Sequence, residues 1–249
     1  MTTILAFLLV FTIVVIVHEA GHFMAARLFS VKAYEFSIGF PFSPRIATLF
    51  RHRETEFTLR LLPLGGFVSF SPDGEDGVPE YFSLGKWKRA GVAAAGSAFN
   101  IIFSLFVFTA AFAIGKDMGL LEGAVTGLNE ARSVFAGTFH LLSGLITGSG
   151  SFEGLSGPIG IAVMAGKAAG AGPFSLLYFT AMLSLSLGIL NLLPLPALDG
   201  GHFVMIAVEA FLKRPLKLKT YSIMGVAGFV LFIVITAAVS YRDVLMLLA

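Results

Sequence analysis

The chain has no cysteine, a single tryptophan and little charge. The first absence excludes disulfides, thiolate metal sites and a cysteine nucleophile. The scarcity of charge says more. Charged residues make up 13% of the 249 residues and hydrophobic ones 56%, whereas a soluble domain carries about 25% charged residues. This is the composition of a membrane protein. The balance of 17 Lys+Arg against 15 Asp+Glu offers no basic surface to nucleic acid. The opening "MTTILAFLLVFTIVVIV" lacks the basic n-region of a signal peptide, and no small-residue cleavage site follows, so it reads as retained. No internal repeat is visible.

What is present is a set of long uncharged runs. A spanning helix needs about 20 mostly apolar residues. Residues 2–29 meet this, interrupted by "HEAGH" and by Arg27. Residues 90–115 and 220–241 meet it too, and 168–198 is long enough for a loop and a span over 173–199. The stretch 133–152 is uncharged but broken by Gly137, His140, Gly144, Gly148 and Gly150. It reads as an amphipathic or interfacial helix, with a fifth span as the alternative. The stretch 203–212 is too short to span and reads as a helix at the membrane edge, with Glu209 a surface residue there. The expected fold is mainly α: one polytopic domain over 1–249 with about four transmembrane helices.

Eight Lys/Arg lie in the loop 30–89 and four in "KRPLKLK", against three in 116–167. The positive-inside rule puts the first two loops in the cytoplasm and both termini outside. In the first loop, "TEFTLRLLP" alternates Phe57, Leu59 and Leu61 with Glu56, Thr58 and Arg60, a strand period. "KAYEFSI" and "RIATLF" are further strand candidates. "PLGGFVSF" follows, with Gly65-Gly66 permitting a sharp turn, and "SPDGEDGVPE" reads as a polar loop. A small membrane-associated β-sheet is expected between the first two helices, either as a solvated cap or as an edge that receives an extended peptide.

The chemistry sits in the first run. Ionisable residues are costly in hydrocarbon and mark function there. His18 and His22, at i and i+4, share one helix face and can reach one tetrahedral zinc. Glu19 beside them suits a general base on metal-activated water. Catalytic zinc needs a third protein ligand and one open position. His52 lies in the soluble loop and His140 in the outward segment, leaving Asp199 in "NLLPLPALDGGH" at matching depth. Pro194 and Pro196 break the helix before it, and irregular backbone at that depth must be buried or line a polar cavity. Asp199 is therefore the expected third ligand, and His202 is given a packing role.

"HEAGH" in one span and "NLLPLPALDGGH" in another resemble the site-2 proteases, the intramembrane zinc metalloproteases, most closely the bacterial envelope-stress, RseP-like branch. "LPLGGFVSF" is similar to that branch's membrane-reentrant β-loop, "WKRAGVAAAGSAFN" to the entry of its second span and "LSGPIGIA" to the approach to its third. The resemblance implies one catalytic zinc on His18, His22 and Asp199, with Glu19 as base. It implies that Asn191 and Asn100 help hold substrate and that Gly65, Gly66, Phe67 and neighbouring Val68 pair with its backbone. It further implies transmembrane protein substrates, cut within a bacterial inner membrane at a site toward the cytoplasm. Two departures stand out. The family often reads Gly-Pro where this chain has Gly96-Ser97. Its outward PDZ domains find no room in residues 116–172. A metal transporter and a catalytically silent helix-binding scaffold are the rival readings. The first is disfavoured by the absence of paired repeats, the second by the intact Glu19.

Overall fold

A computed structural model describes residues 2–41, 43–62, 65–71, 80–148, 156–196 and 198–248. Pro63 and Leu64 of "PLGGFVSF", most of "SPDGEDGVPE", Ala197 and the end of the 133–152 stretch lie outside the described residues. The element order is α1 (Thr2–Leu28), β1 (Glu35–Ile38), β2 (Arg45–His52), β3 (Thr55–Arg60), β4 (Gly66–Ser69), α2 (Glu80–Ser83), α3 (Lys86–Gly115), α4 (Leu120–Thr147), α5 (Pro158–Gly170), α6 (Pro173–Asn191), α7 (Asp199–Leu212) and α8 (Leu218–Leu248). Among the described residues, α1, α3, α6 and α8 are long and apolar enough to cross a membrane. The protein is a mainly α, polytopic membrane protein. The third spanning helix stops at Asn191 rather than near residue 199, because Pro194 cannot continue it.

The chain forms two units: residues 11–99 with 191–228, and residues 1–10 with 100–190 and 229–249. The first holds the sheet, in the order β2-β3-β1-β4. β1 runs parallel to β3 and antiparallel to β4, while β2 and β3 form an antiparallel hairpin with register shifts. The three expected strands are present, and a fourth, β4, forms within the "PLGGFVSF" stretch; in β3 the most buried residues are polar. Thr55 and Thr58 are fully buried. Thr58 donates to Glu35 (2.6 Å), which also receives Arg60 (3.0 Å). Thr55 donates to the Ala33 carbonyl (2.6 Å). Burying a carboxylate is tolerable only when it is paired and bonded, and this network meets that condition. The apolar residues form a separate aromatic stack: Phe57 lies against Phe36 and Phe50, and Phe23 of α1 meets Phe36 and Phe57 edge-on. Arg27 ties the end of α1 to Glu54 (2.9 Å) and Thr55 (3.1 Å). Phe23 and Arg27 thus fix the stretch of α1 that follows His22 to the sheet.

The second unit is built around Val107, Phe108, Phe112, Ala131, Ala181 and Leu185. Helix α4 starts at Leu120, well before the expected 133, and returns antiparallel along α3. A Cβ placed on Gly123 would stand 3.0 Å from the Ala113 nitrogen, and one on Gly127 3.0 Å from Phe108 Cβ. With Ala131 these glycines form a small-xxx-small seam, which lets helix backbones approach closely in lipid. Glu122, Asn129, Glu130 and Arg132 hid this half of the helix from a hydropathy reading. Glu130 has a partner there, since the Tyr178 hydroxyl donates to it (2.9 Å). Gly157 caps the start of α5, and Asp243 of α8 accepts from the Gly157 and Gly160 amides (2.9 and 2.8 Å), a carboxylate serving a helix N-terminus.

The seam yields a prediction. Gly127→Leu forces α4 off α3 and should destabilise the protein by about 1–3 kcal/mol, the usual cost of overpacking. Thermal unfolding in detergent should show a lower Tm, while the exposed Gly137→Leu leaves it unchanged. Equal Tm values for both would mean the seam is not close-packed.

Candidate metal centre

The first unit places His18 and His22 on the side of α1 that faces α3, with Glu19 beside them. That approach needs glycine. A Cβ on Gly21 would lie 2.3 Å from the Ala95 carbonyl oxygen, and one on Gly96 would lie 2.4 Å from His22 Nε2 and 2.8 Å from His18 Cε1. The two helices therefore touch backbone to backbone beside the imidazoles. His22 Nδ1 donates to the Val92 carbonyl at 2.8 Å. This bond fixes the tautomer and leaves the Nε2 lone pair free.

Asp199 arrives from the N-terminus of α7. The turn before it closes through Leu195 N–H to the Leu193 carbonyl (2.7 Å) and Leu198 N–H to the Leu195 carbonyl (3.0 Å). The helix is pressed onto this turn: a Cβ on Gly200 would lie 2.0 Å from the Leu193 carbonyl, and one on Gly201 2.4 Å from that of Leu195. Asp199 Oδ2 then stands 3.2 Å from His18 Nε2 and 3.4 Å from His22 Nε2, and the two imidazole nitrogens are 3.2 Å apart. Zinc bound tetrahedrally at about 2.0–2.1 Å requires donor atoms about 3.3–3.4 Å apart. The triangle of donors has that size. Asp199 Oδ2 is buried and faces only the two imidazoles, as an oxygen shared with an ion between them would. Two imidazoles and one carboxylate, converging in an apolar helix pair, fit a zinc ion with a fourth position left open.

Glu19 lies against the sheet. A Cβ on Gly66 would be 2.8 Å from Glu19 Cγ and 2.9 Å from Val15 Cγ1. Glycine there lets β4 reach the carboxylate. β4 is an edge strand. The bond from Gly39 N–H to the Gly65 carbonyl (2.8 Å) sets the alternation, so Phe67 bonds toward β1 while Gly66 and Val68 turn their backbone groups away from it. The Arg60 guanidinium covers the Phe67 ring at 4.9 Å.

The remaining expected residues are less closely placed. Asn191 ends α6, eight positions before Asp199 in the chain. Asn100 belongs to the second unit, where it is fully buried and its carbonyl accepts from Ser184 (2.9 Å). His202 is not among the converging donors. Its ring sits between Tyr81 and Tyr221, and burial pulls its pKa down. Sequence reasoning passed over Gly21, Gly96 and Val92. The small-residue stretch "AGVAAAGSA" in a spanning helix was the available signal.

Comparisons with known proteins show the family to which such a centre belongs. The family described as Peptidase family M50 matches residues 6–235. A Clostridium perfringens protein named as a candidate zinc metalloprotease is 26% identical over 96% of this chain and 97% of its own. One from Brucella suis, similarly named, is 28% identical over 92% and 94%. The regulator of sigma E protease of Haemophilus influenzae is 39% identical over 52% of this chain and 29% of its own. The first two alignments run over 328 and 358 residues, more than the 249 available here. Those relatives therefore carry an internal stretch with no counterpart in this chain.

Gly96→Ala places a methyl group against the nitrogen of His22 that faces Asp199. We expect metal content after dialysis to fall at least about tenfold, the scale of lost supporting contacts, while Gly85→Ala, at an open position, keeps it. Parental metal content in Gly96→Ala would show that the helices separate without disturbing the ligands.

Proposed function

The chain belongs to peptidase family M50, and from that premise we propose that His18, His22 and Asp199 hold its single catalytic zinc and that Glu19 is the base. The protein is an intramembrane zinc metalloendopeptidase that cleaves in or near transmembrane segments. The observation that carries the ligand assignment is the donor triangle, whose edges match tetrahedral zinc. Zinc in this set would supply Lewis acidity at the scissile carbonyl and a nucleophilic water at neutral pH.

The chain's own groups supply the rest. Glu19, beside the first ligand, accepts the proton of the attacking water and returns it to the leaving amine. The Val92 carbonyl and the Gly96 backbone hold His22 in orientation. A substrate helix hides its carbonyls in its own hydrogen bonds, so it must unwind before attack. The outward groups of Gly66 and Val68 on β4 offer replacement partners within reach of Glu19. Asn191 and Asn100 are proposed to help hold the substrate. The excess of Lys/Arg in 30–89 and 213–219 supports a site on the cytoplasmic side of a bacterial inner membrane. Substrates are proposed to be membrane proteins such as anti-sigma factors, the class suggested by the name of the Haemophilus relative.

Two outcomes test this reading. Glu19→Gln should retain about one zinc per chain and lose cleavage of a model transmembrane substrate, by at least the 10²-fold typical of a lost general base. A variant that cuts at the parental rate would remove Glu19 from the chemistry. Val68→Pro removes an outward N–H without touching the β1–β4 ladder. It should fold, keep its zinc and cleave poorly, whereas Val68→Ala cleaves normally. Parental cleavage by a stable, zinc-loaded Val68→Pro would rule out strand pairing at β4.

A further inference from the structure

The first turn of α7 carries Asp199, and Gly200 and Gly201 press it onto the turn just before it. That packing is local to one segment of the chain. How α7 sits against α3, along its axis and in rotation, decides whether Asp199 Oδ2 meets the two imidazoles, and a contact further along the helix joins the two.

The fixing point is Glu209. Expected from sequence as a surface residue at the membrane edge, it is 1% exposed, and Arg89 on α3, which faces it, is 4% exposed. Glu209 Oε2 pairs directly with Arg89. Its Oε1 accepts from the Tyr221 hydroxyl (3.1 Å) and the Leu216 amide (2.9 Å). Arg89 also donates to the Tyr221 oxygen (3.1 Å), and Lys86 donates to the Glu209 carbonyl (3.0 Å). The Tyr81 hydroxyl donates to the Arg89 carbonyl (3.3 Å). Between this cluster and the ligands stands His202, its ring held by Tyr81 and Tyr221. Burial opposes the charge on Glu209, yet Arg89 holds its carboxyl below the ordinary value.

The geometry of the chain gives the pair its meaning. Arg89 is one helical turn before Val92, whose carbonyl holds His22, and seven residues before Gly96, which abuts both histidines. Glu209 is ten residues after Asp199 on an unbroken helix, about 15 Å along its axis. We propose that the Arg89–Glu209 ion pair is the positioning clamp of the metal centre, setting the register of α7 against α3 so that Asp199 closes the ligand triangle. A buried ion pair is a poor device for stability alone, since apolar replacements often do as well. It is a good device for register, because a fork-shaped guanidinium and a carboxylate meet in one geometry. Both residues are positioning residues and touch neither metal nor substrate.

The inference rests on Asp199 being a zinc ligand, and the test separates the two claims. Zinc affinity by chelator competition, and the rise in Tm that zinc produces, are measured for the parent, Asp199→Ala, Glu209→Gln, Arg89→Lys and the volume-conserving double variant Arg89→Met with Glu209→Met. The double variant removes both charges and so remains foldable if Glu209→Gln does not. The clamp predicts at least tenfold weaker zinc in Glu209→Gln and in the double variant, a smaller zinc-induced rise in Tm, and an intermediate loss in Arg89→Lys. A merely structural pair predicts that apo and zinc-loaded Tm fall together with affinity unchanged, which overturns the proposal. Unchanged zinc affinity in Asp199→Ala overturns instead the ligand assignment on which it stands.

Discussion

The contact between α1 and α3 at Gly21 and Gly96 is the constraint on which this centre depends. Two helix backbones approach until no Cβ fits between them. Only then does His22 reach the Val92 carbonyl, and only then do both imidazoles point toward one place. In lipid there is no hydrophobic drive to bring helices together, so close packing of small residues must do it. The cost of burying two histidines and Asp199 is offset because they face one another and are available to an ion. The sheet extends the same logic. Phe23 and Arg27 pin the ligand-bearing helix to it, and Gly66 brings its edge over Glu19.

Much of this was legible in the chain. "HEAGH" marked His18, Glu19 and His22 as candidates through spacing, Asp199 was chosen because the chain has so few other embedded donors, and the fold brings His18, His22 and Asp199 together. The four spanning helices followed from uncharged runs, and the strands from the alternation in "TEFTLRLLP". Other parts were not legible for physical reasons. Periodicity reports which residues share a face, not which face is buried. In β3 the polar side is sealed by Glu35, Thr58 and Arg60, because a carboxylate and a guanidinium that satisfy each other can leave water together. Hydropathy likewise missed the first half of α4, where Glu130 is matched by Tyr178 and the packing surface is glycine.

Glu209 shows the same limit from the other side. A lone acid in a short apolar helix reads as surface because its partner, Arg89, lies 120 residues earlier in the chain. Sequence distance conceals the pair, and only the fold reveals it. Gly96 was quoted within a motif but read for its neighbour Ser97. Its own role is to have no side chain, and such a role becomes visible only when the opposing imidazoles are placed.

The central claim is that two imidazoles and one carboxylate of this cysteine-free chain hold one zinc with a fourth position for water. X-ray absorption at the zinc edge of the purified, detergent-solubilised protein tests it most directly. The account predicts one zinc per chain in a four-coordinate shell at about 2.0–2.1 Å, with two imidazole nitrogens and two oxygens. A shell containing three imidazoles would bring His202 into the ligand set in place of Asp199 and contradict it.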